Sequence, residues 1–318
     1  MDAANRWRTR AAVLLIAAAC IAAPPGSRAT LAQTRADHFP DVELRTQHDA
    51  RVRFQDLIRG KKVLIELIYT SCTFACPLET ARLAQVQAVL GDRMGRDVFF
   101  FSISIDPEHD TPAVLRAFAE KYHAGPGWTF VTGARGDIDR LAKALGLAGI
   151  PDPSNQDGHA PLLLLGNEAT GQWTRVSALD NPKLTASMIT NWFGGYSGAA
   201  PRRSYAEAKP IGTVDTSAHL FATRCAACHT LGGGAGVGPD LAGVTSRRDP
   251  AWLAEYIARP DRVLARGDPI AKALFAEHKQ VQMPNLGLTD EEVQGLIAYL
   301  ARTGTQTKPA GSVKGGKH

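Results

Sequence analysis

Short apolar runs alternate with helix-like segments over the first two thirds of the chain. The runs at 61–69 and 97–105 are rich in β-branched and aromatic residues and are bounded by charge, which predicts buried strands. The predicted strands cover 61–69, 97–105, 128–131, 161–165 and 172–176. One predicted helix starts at Pro77, and three more cover 111–122, 137–145 and about 182–193. This alternation predicts an α/β sheet with a mostly parallel centre.

The last third of the chain has helical periodicity and no strand-like runs. A helix is predicted from about Ser217 into Cys225, and another from Thr289 through Leu300. The sequence Thr-Asp-Glu-Glu at 289–292 has the spacing of a capping box, which predicts where the second helix begins. The pattern therefore predicts a small all-α domain after the α/β domain.

The sequence Cys-Ala-Ala-Cys-His at 225–229 is a C-x-x-C-H motif, the attachment signature of a c-type haem. In that chemistry Cys225 and Cys228 bond to the haem vinyl groups and His229 ligates the iron. A second axial ligand is needed, and methionine is the usual one. Met283 is the single methionine after His229, so we expect it to be that ligand, with His278 as the alternative.

A second pair of cysteines, Cys72 and Cys76, follows the first predicted central strand and opens the next helix. A cysteine pair at this junction is typical of thioredoxin-like domains. The positive end of the helix dipole favours a thiolate there, so we expect a lowered thiol pKa. A purely structural disulfide is the alternative interpretation of the pair.

The haem region resembles a small class I cytochrome c, over about residues 216 to 303. The resemblance lies in the haem motif, in Gly-Pro-Asp-Leu at 238–241 and in the last helix. It implies that Pro239 lies against His229 and that the first and last helices cross, with Phe221 and Tyr299 as candidates for the crossing.

The first domain resembles the Sco/SenC family of copper-handling thioredoxin-like proteins, over about residues 39 to 193. The resemblance implies that Cys72, Cys76 and His159 bind one copper ion. Two thiolates suit Cu(I), and an added imidazole suits Cu(II). It also implies a role in cytochrome c oxidase assembly, with the copper subunit of the oxidase, or another exported redox protein, as partner. The residues that carry the resemblance are Tyr69, Thr70, Cys72, Cys76, Pro77, 104–107, 110–112, Asp157 and His159.

The positive charge of the chain lies mainly outside the predicted domains. The sequence has 36 basic and 31 acidic residues, and the excess falls in the first 32 residues and after Thr303. A nucleic-acid binder needs a basic face on a folded domain, so no nucleic-acid partner is expected.

The amino-terminal leader has three arginines before the apolar run 11–23, which is the pattern of a secretory signal. The run is short for a membrane span. An uncleaved anchor, or a lipoprotein signal ending at Cys20, is the alternative and would attach the protein to a membrane. Export also agrees with haem c, so we expect a periplasmic location or the outer side of the inner membrane.

The predicted order is thus an α/β thioredoxin-like domain followed by a small all-α cytochrome c domain. The boundaries are a leader at 1–32, the thioredoxin-like domain at 33–193, a Gly/Pro/Ser-rich linker at 194–215, the cytochrome c domain at 216–303 and a tail at 304–318.

Three functions agree with this organisation. The first is a copper-binding redox protein that transfers single electrons through haem c. The second is a thiol-disulfide oxidoreductase that uses Cys72 and Cys76, with the haem domain as electron partner. The third is a non-enzymatic electron-transfer module.

Overall fold

A seven-stranded mixed sheet forms the centre of the first domain in the computed structural model, which describes residues 38–73, 75–148, 161–191 and 215–304. The strand order is β2-β1-β5-β4-β3-β6-β7. The strands are β1 (Glu43–Thr46), β2 (Arg51–Arg53), β3 (Lys62–Ile68), β4 (Val98–Ser104), β5 (Trp128–Gly133), β6 (Leu162–Asn167) and β7 (Gln172–Ser177).

The centre of the sheet is parallel, as predicted. Strand β3 pairs in parallel with β4, and β4 with β5, whereas β6 pairs antiparallel to β3 and begins a hairpin with β7. The other edge of the sheet is the antiparallel pair β1 and β2. It falls in the polar stretch 33–59, for which the sequence predicts only a short hairpin or arm. Strand β1 joins the sheet beside β5, a long-range pairing that the local pattern does not encode.

Helices cover both faces of this sheet. They are α1 (Phe54–Ile58), α2 (Cys76–Leu90), α3 (Pro112–Lys121), α4 (Arg135–Leu145) and α5 (Pro182–Asn191). Side chains of α2, α3 and α5 pack on one face, and those of α1 and α4 pack on the other. Because alternate residues of β3 point to opposite faces, its Leu64 and Ile68 join the first cluster while Val63 and Ile65 join the second.

The second domain is all-helical and has its own apolar core around Phe221, Leu253 and Leu296. Its helices are α6 (Thr216–Leu220), α7 (Val244–Arg247), α8 (Pro250–Ala258), α9 (Pro260–Ala265), α10 (Pro269–Glu277) and α11 (Asp290–Gly304). Helix α6 continues directly into a π-helical turn over Phe221–Cys225, which ends at the first haem-motif cysteine. The predicted α/β domain followed by an all-α domain is therefore confirmed.

The first and last helices of this domain cross, as expected. The rings of Phe221 and Tyr299 lie 5.5 Å apart, centroid to centroid. The predicted capping box is present, because the Thr289 N–H donates to Glu292 (2.8 Å) and the Glu292 N–H donates to the Thr289 hydroxyl (3.2 Å).

Several sequence predictions lie outside the described residues. These are the leader with Cys20, nearly all of the linker at 194–215, the tail at 305–318 and the copper-ligand candidate His159. Within the described ranges, no helix has both the length and the apolar character that a bilayer span requires.

Candidate haem and thiol sites

The haem-attachment motif begins where the first helix of the second domain ends. The N–H of Ala226 donates to the carbonyl of Phe221 (2.8 Å), closing the π-helical turn. The N–H of His229 donates to the carbonyl of Cys225 (3.0 Å), so the motif forms one further helical turn. This turn brings Cys225, Cys228 and His229 to the wall of one crevice.

His229 is oriented by the loop that follows it. Its Nδ1 lies 2.9 Å from the carbonyl oxygen of Pro239, the contact that the cytochrome c resemblance implied. If Nδ1–H donates to this carbonyl, Nε2 keeps its lone pair for a metal. Burial lowers the pKa of His229, which favours the neutral imidazole that a metal requires.

Gly238 allows the loop to approach the imidazole. A Cβ at this position would lie 2.7 Å from Cε1 of His229, closer than side-chain contacts allow. The glycine therefore makes room for the histidine ring against the Pro239 carbonyl.

Two mostly apolar cavities, of about 850 Å³ and about 500 Å³ with the solvent at their mouths included, have His229 in their walls. Both cavities are bounded by His229 and Met283, whereas His278 lines only the smaller one. A flat apolar cofactor between these two side chains fits this space, and its edges would reach Cys225 and Cys228. The residues present therefore fit haem c, and Met283 is better placed than His278 to be the second axial ligand.

The polar end of the larger cavity was not predicted from the sequence. It contains Arg247, Arg248, Trp252 and Tyr256. Trp252 is half-buried, and the pKa of Asp268 is lowered first by the hydrogen bond from the Ala271 N–H and to a smaller extent by one from the Trp252 side chain. Arg248 lies before helix α8, which carries Trp252, and its guanidinium lies 5.7 Å from the centre of the Trp252 ring.

The two haem-motif cysteines are partly buried as thiols. Burial raises the pKa of Cys225 to about 11 and that of Cys228 to about 12. Both side chains are therefore neutral near pH 7.

The second cysteine pair lies where strand β3 meets helix α2. Cys72 follows a tight turn in which its N–H donates to the carbonyl of Tyr69 (3.1 Å), and Cys76 is the first residue of the helix. The Cys76 N–H lies 3.4 Å from Sγ of Cys72, so a helix N-terminal amide faces that sulfur. The exposed fractions of Cys72 and Cys76 are only 6% and 0%.

The expected lowering of the thiol pKa by the helix is wrong for Cys76. Its pKa is raised well above the usual value, first because its thiol hydrogen-bonds to Cys72 and then because it is buried. Two sulfurs that share a proton in a buried site hold at most one thiolate readily. The amide at the N-terminus of the helix, the Cys76 N–H, instead faces Sγ of Cys72.

Asp110 fastens the segment that leads to Cys72. Its carboxylate is fully buried and accepts hydrogen bonds from the Thr70 N–H (3.1 Å) and from the Ser104 hydroxyl (2.6 Å). It thereby joins the end of β3 to the end of β4. The separated motifs at 69–77 and 104–112 thus meet at one end of the sheet.

Of the three predicted copper ligands, Cys72 and Cys76 are described and His159 lies outside the described residues. Within the described ranges, no cluster of three or more His, Cys, Asp or Glu side chains could hold a metal ion. Cys72 and Cys76 supply two adjacent sulfur donors, a set that fits a soft metal ion.

Two family profiles match the chain. The SCO1/SenC profile matches residues 32–192, and the cytochrome c profile matches residues 214–304. The second match implies covalently attached haem c, and together they describe a fused architecture.

Individual relatives match about a third of the chain. The chain is 32% identical over 102 residues to the SCO1 protein homolog of Bacillus subtilis, which covers 31% of this chain and 52% of the relative. It is 35% identical over 95 residues to the SenC protein of Rhodobacter capsulatus, covering 30% of this chain and 41% of the relative. The matched stretch thus spans about half the length of these relatives.

Among solved structures, Bradyrhizobium japonicum ScoI with copper bound aligns with 48% of this chain and 96% of its own length. The TM-score is 0.40 at 22% sequence identity.

Proposed function

Because this chain belongs to the SCO1/SenC family over residues 32–192 and continues into a cytochrome c domain, we propose that it is an exported, copper-binding redox protein that transfers single electrons. The observation that carries the proposal is the position of the Cys72–Cys76 pair at the N-terminus of α2, in the same chain as the His229–Met283 crevice.

Each side chain has a definite role in this proposal. Cys72, Cys76 and His159 hold copper, since thiolates stabilise Cu(I) and an imidazole helps to accommodate Cu(II). Cys225 and Cys228 attach the haem covalently. The remaining residues, His229 and Met283, are its axial ligands.

The haem supplies a reversible one-electron couple when bound. The protein orients His229 through the Pro239 carbonyl and surrounds the crevice with apolar side chains that exclude water. Asp110 keeps the segment before Cys72 in place, so the two sulfurs stay adjacent whether or not metal is present.

We further propose that the protein serves the copper subunit of cytochrome c oxidase, or another exported redox protein, outside the cytoplasm. The secretory pattern of the leader and the need to attach haem c outside the bacterial cytoplasm support this location. A cleaved signal, an anchor and a lipid-modified Cys20 are the three ways in which the leader could act.

The proposal is tested by copper binding to the purified chain. Wild-type protein should bind one Cu(II) ion per chain, with a thiolate-to-copper absorption band that is lost in Cys72→Ser and in His159→Ala. Matched controls are Ser71→Ala, exposed beside the site, and His109→Ala, an exposed histidine paired with Asp106. A band that persists in His159→Ala would remove that residue from the site.

Thiol-disulfide exchange is the second candidate function, and the adjacency of Cys72 and Cys76 at the N-terminus of α2 favours it. In that case the pair cycles between dithiol and disulfide, a two-electron change that one haem cannot complete in one step. Catalysed disulfide reduction that is indifferent to copper would favour this function. Neither activity, with the haem couple intact, would favour a simple electron-transfer module.

The axial ligand has its own test. Met283→Ala should keep haem attached through Cys225 and Cys228 but change its optical spectrum and let external ligands bind the iron. Met188→Ala, in helix α5 of the other domain, is the control. If His278→Ala changes the spectrum and Met283→Ala does not, His278 is the ligand.

A further inference from the structure

The haem-attachment motif packs against the thioredoxin-like domain. Ala227 is buried in the apolar cluster formed by α2, α3, α5 and the sheet, and Cys228, Val237 and Val281 pack against the same cluster. Burial of these side chains removes apolar surface from water and favours a docked arrangement of the two domains.

Helix α2 adds specific hydrogen bonds to this apolar contact. The Arg82 guanidinium donates to the carbonyls of Ala222 (2.8 Å) and Thr223, and the Gln85 amide donates to the carbonyl of Ala226 (2.5 Å). These carbonyls lie at the end of the first haem-domain helix, where main-chain acceptors lack partners within the helix. A cation there also interacts favourably with the helix dipole.

Arg82 is poorly placed for any other role. Only 4% of its surface is exposed, and burial lowers the pKa of its guanidinium. Burying an arginine is costly unless its donors find acceptors. Two of the acceptors found here are the Ala222 and Thr223 carbonyls of the other domain, and the third is the side-chain oxygen of Gln85 (2.9 Å) on the same helix. A third hydrogen bond joins the domains from the opposite direction, since Lys279 Nζ donates to the carbonyl of Glu120 (3.2 Å).

The same helix begins at the thiol pair, with Cys72 in the turn before it and Cys76 as its first residue. Arg82 therefore lies about 9 Å further along the helix axis. Pro77, the next residue, lines the smaller haem cavity together with Cys228, His229 and Met283. The thiol end of α2 therefore lies at the edge of the haem crevice.

Tyr122 connects the two regions in the interior. It is buried in the shared cluster, and its pKa is raised by burial and then by the cysteines at 228, 76 and 72. Its ring lies in the same apolar cluster that contains Ala227 and that Cys228 packs against.

We propose that Arg82 and Gln85 are positioning residues that clamp the haem-attachment segment onto helix α2, so that the haem of this chain is the electron partner of its own Cys72–Cys76 site. The inference rests on the proposed function for that site. Cys225, Cys228, His229 and Met283 would hold the haem and Cys72 and Cys76 the copper. Each centre would supply a one-electron couple, so the single electron lost at one centre would be gained at the other. No covalent bond forms or breaks, and the reverse direction uses the same contacts.

The clamp is tested first without reference to redox activity. In haem-loaded full-length protein, Arg82→Ala/Gln85→Ala should raise amide hydrogen exchange over residues 222–228 by about tenfold or more, because charged hydrogen bonds to the helix end are lost. Arg140→Ala removes an exposed arginine from α4 on the opposite face of the sheet and should leave this exchange unchanged. Equal exchange in the double variant and the wild type would overturn the clamp.

The electron partner is tested by reducing the haem with a light pulse in Cu(II)-loaded protein and following its reoxidation optically. In wild type and Arg140→Ala, the rate should be first-order and independent of protein concentration. In the double variant it should fall about tenfold or more, because docking no longer holds the centres together.

The possible results separate the two proposals. A wild-type rate that rises with protein concentration, with copper bound, overturns the inference but leaves copper binding intact. Increased exchange with an unchanged rate in the double variant also overturns it. Failure of the wild type to bind copper defeats the proposed function and with it the electron-partner half, while hydrogen exchange still decides the clamp.

Discussion

Glu66 is a carboxyl group in the middle of the central strand β3, with only 1% of its surface exposed. The Ser102 hydroxyl donates to one of its oxygens, and the Trp128 indole N–H donates to Ser102 (2.8 Å). The other carboxyl oxygen of Glu66 has no hydrogen-bond partner among the described residues. Burial raises the pKa of Glu66 from 4.5 to about 8, so the folded protein keeps this group protonated near neutral pH.

Glu66→Gln should therefore change how stability depends on pH. Between about pH 4.5 and about pH 8 only the unfolded wild type loses the proton, so its free energy of unfolding falls as pH rises. The variant lacks this loss and should gain roughly 3 kcal/mol on wild type between about pH 5 and about pH 8. Denaturant unfolding at both pH values measures this gain, and parallel stability curves would mean that Glu66 titrates normally when folded.

Gly238 shows how one missing side chain shapes the haem crevice. Gly238→Ala should push the His229 imidazole away from the Pro239 carbonyl, since the added Cβ would lie 2.7 Å from its Cε1. We expect a changed haem spectrum and an altered reduction potential, with haem still covalently attached. Gly236→Ala, whose added Cβ would meet only the Cys228 carbonyl at 3.1 Å, is the milder control. An unaltered spectrum in Gly238→Ala would show that the loop yields instead of the ring.

At the scale of elements, helix α11 depends on its first turn. The side chains of Thr289 and Glu292 accept hydrogen bonds from two main-chain N–H groups that have no main-chain carbonyl partner within the helix. The helix supplies Leu296 and Leu300 to the core of the haem domain, so fraying at its start weakens that core.

Thr289→Ala should lower the free energy of unfolding of the haem domain by about 1 kcal/mol, because the N-cap acceptor is lost. Glu291→Ala is the matched control, because it removes an exposed acid from the same turn without touching the capping box. Denaturant unfolding followed by haem absorbance gives both values. If both variants lost the same free energy of unfolding, the Thr289 cap would contribute no more to stability than the Glu291 charge.

At the scale of the whole molecule, docking depends on apolar packing and on hydrogen bonds to uncharged carbonyls. Attraction between opposite net charges would be screened by salt, whereas these contacts are screened little. The radius of gyration should therefore stay constant from low salt to about 1 M NaCl, where the screening length is about 3 Å. Small-angle X-ray scattering measures this, and expansion at high salt would indicate charge-driven docking.

The sequence by itself determined the local features that repeat at short range. The buried strands β3 and β4, the Thr289 cap and the C-x-x-C-H turn each depend on neighbours within a few residues, so pattern and spacing were sufficient to predict them. The short helices α7 to α10 were not predicted, although Asp249 and Asp268, each followed by proline, cap two of them. Their apolar faces are too brief for periodicity to register.

Only the tertiary structure decided the relations between distant segments. It joined β1 to β5, brought Asp110 to Thr70, raised the pKa of Cys76 against the helix effect and seated the haem motif on α2. Such contacts depend on which surfaces meet after the chain folds, and desolvation at those surfaces can outweigh a local propensity. Arg82 is an example. From the sequence it is expected to be a solvated charge on a helix surface, but in the folded chain it donates to the carbonyls of residues 222 and 223.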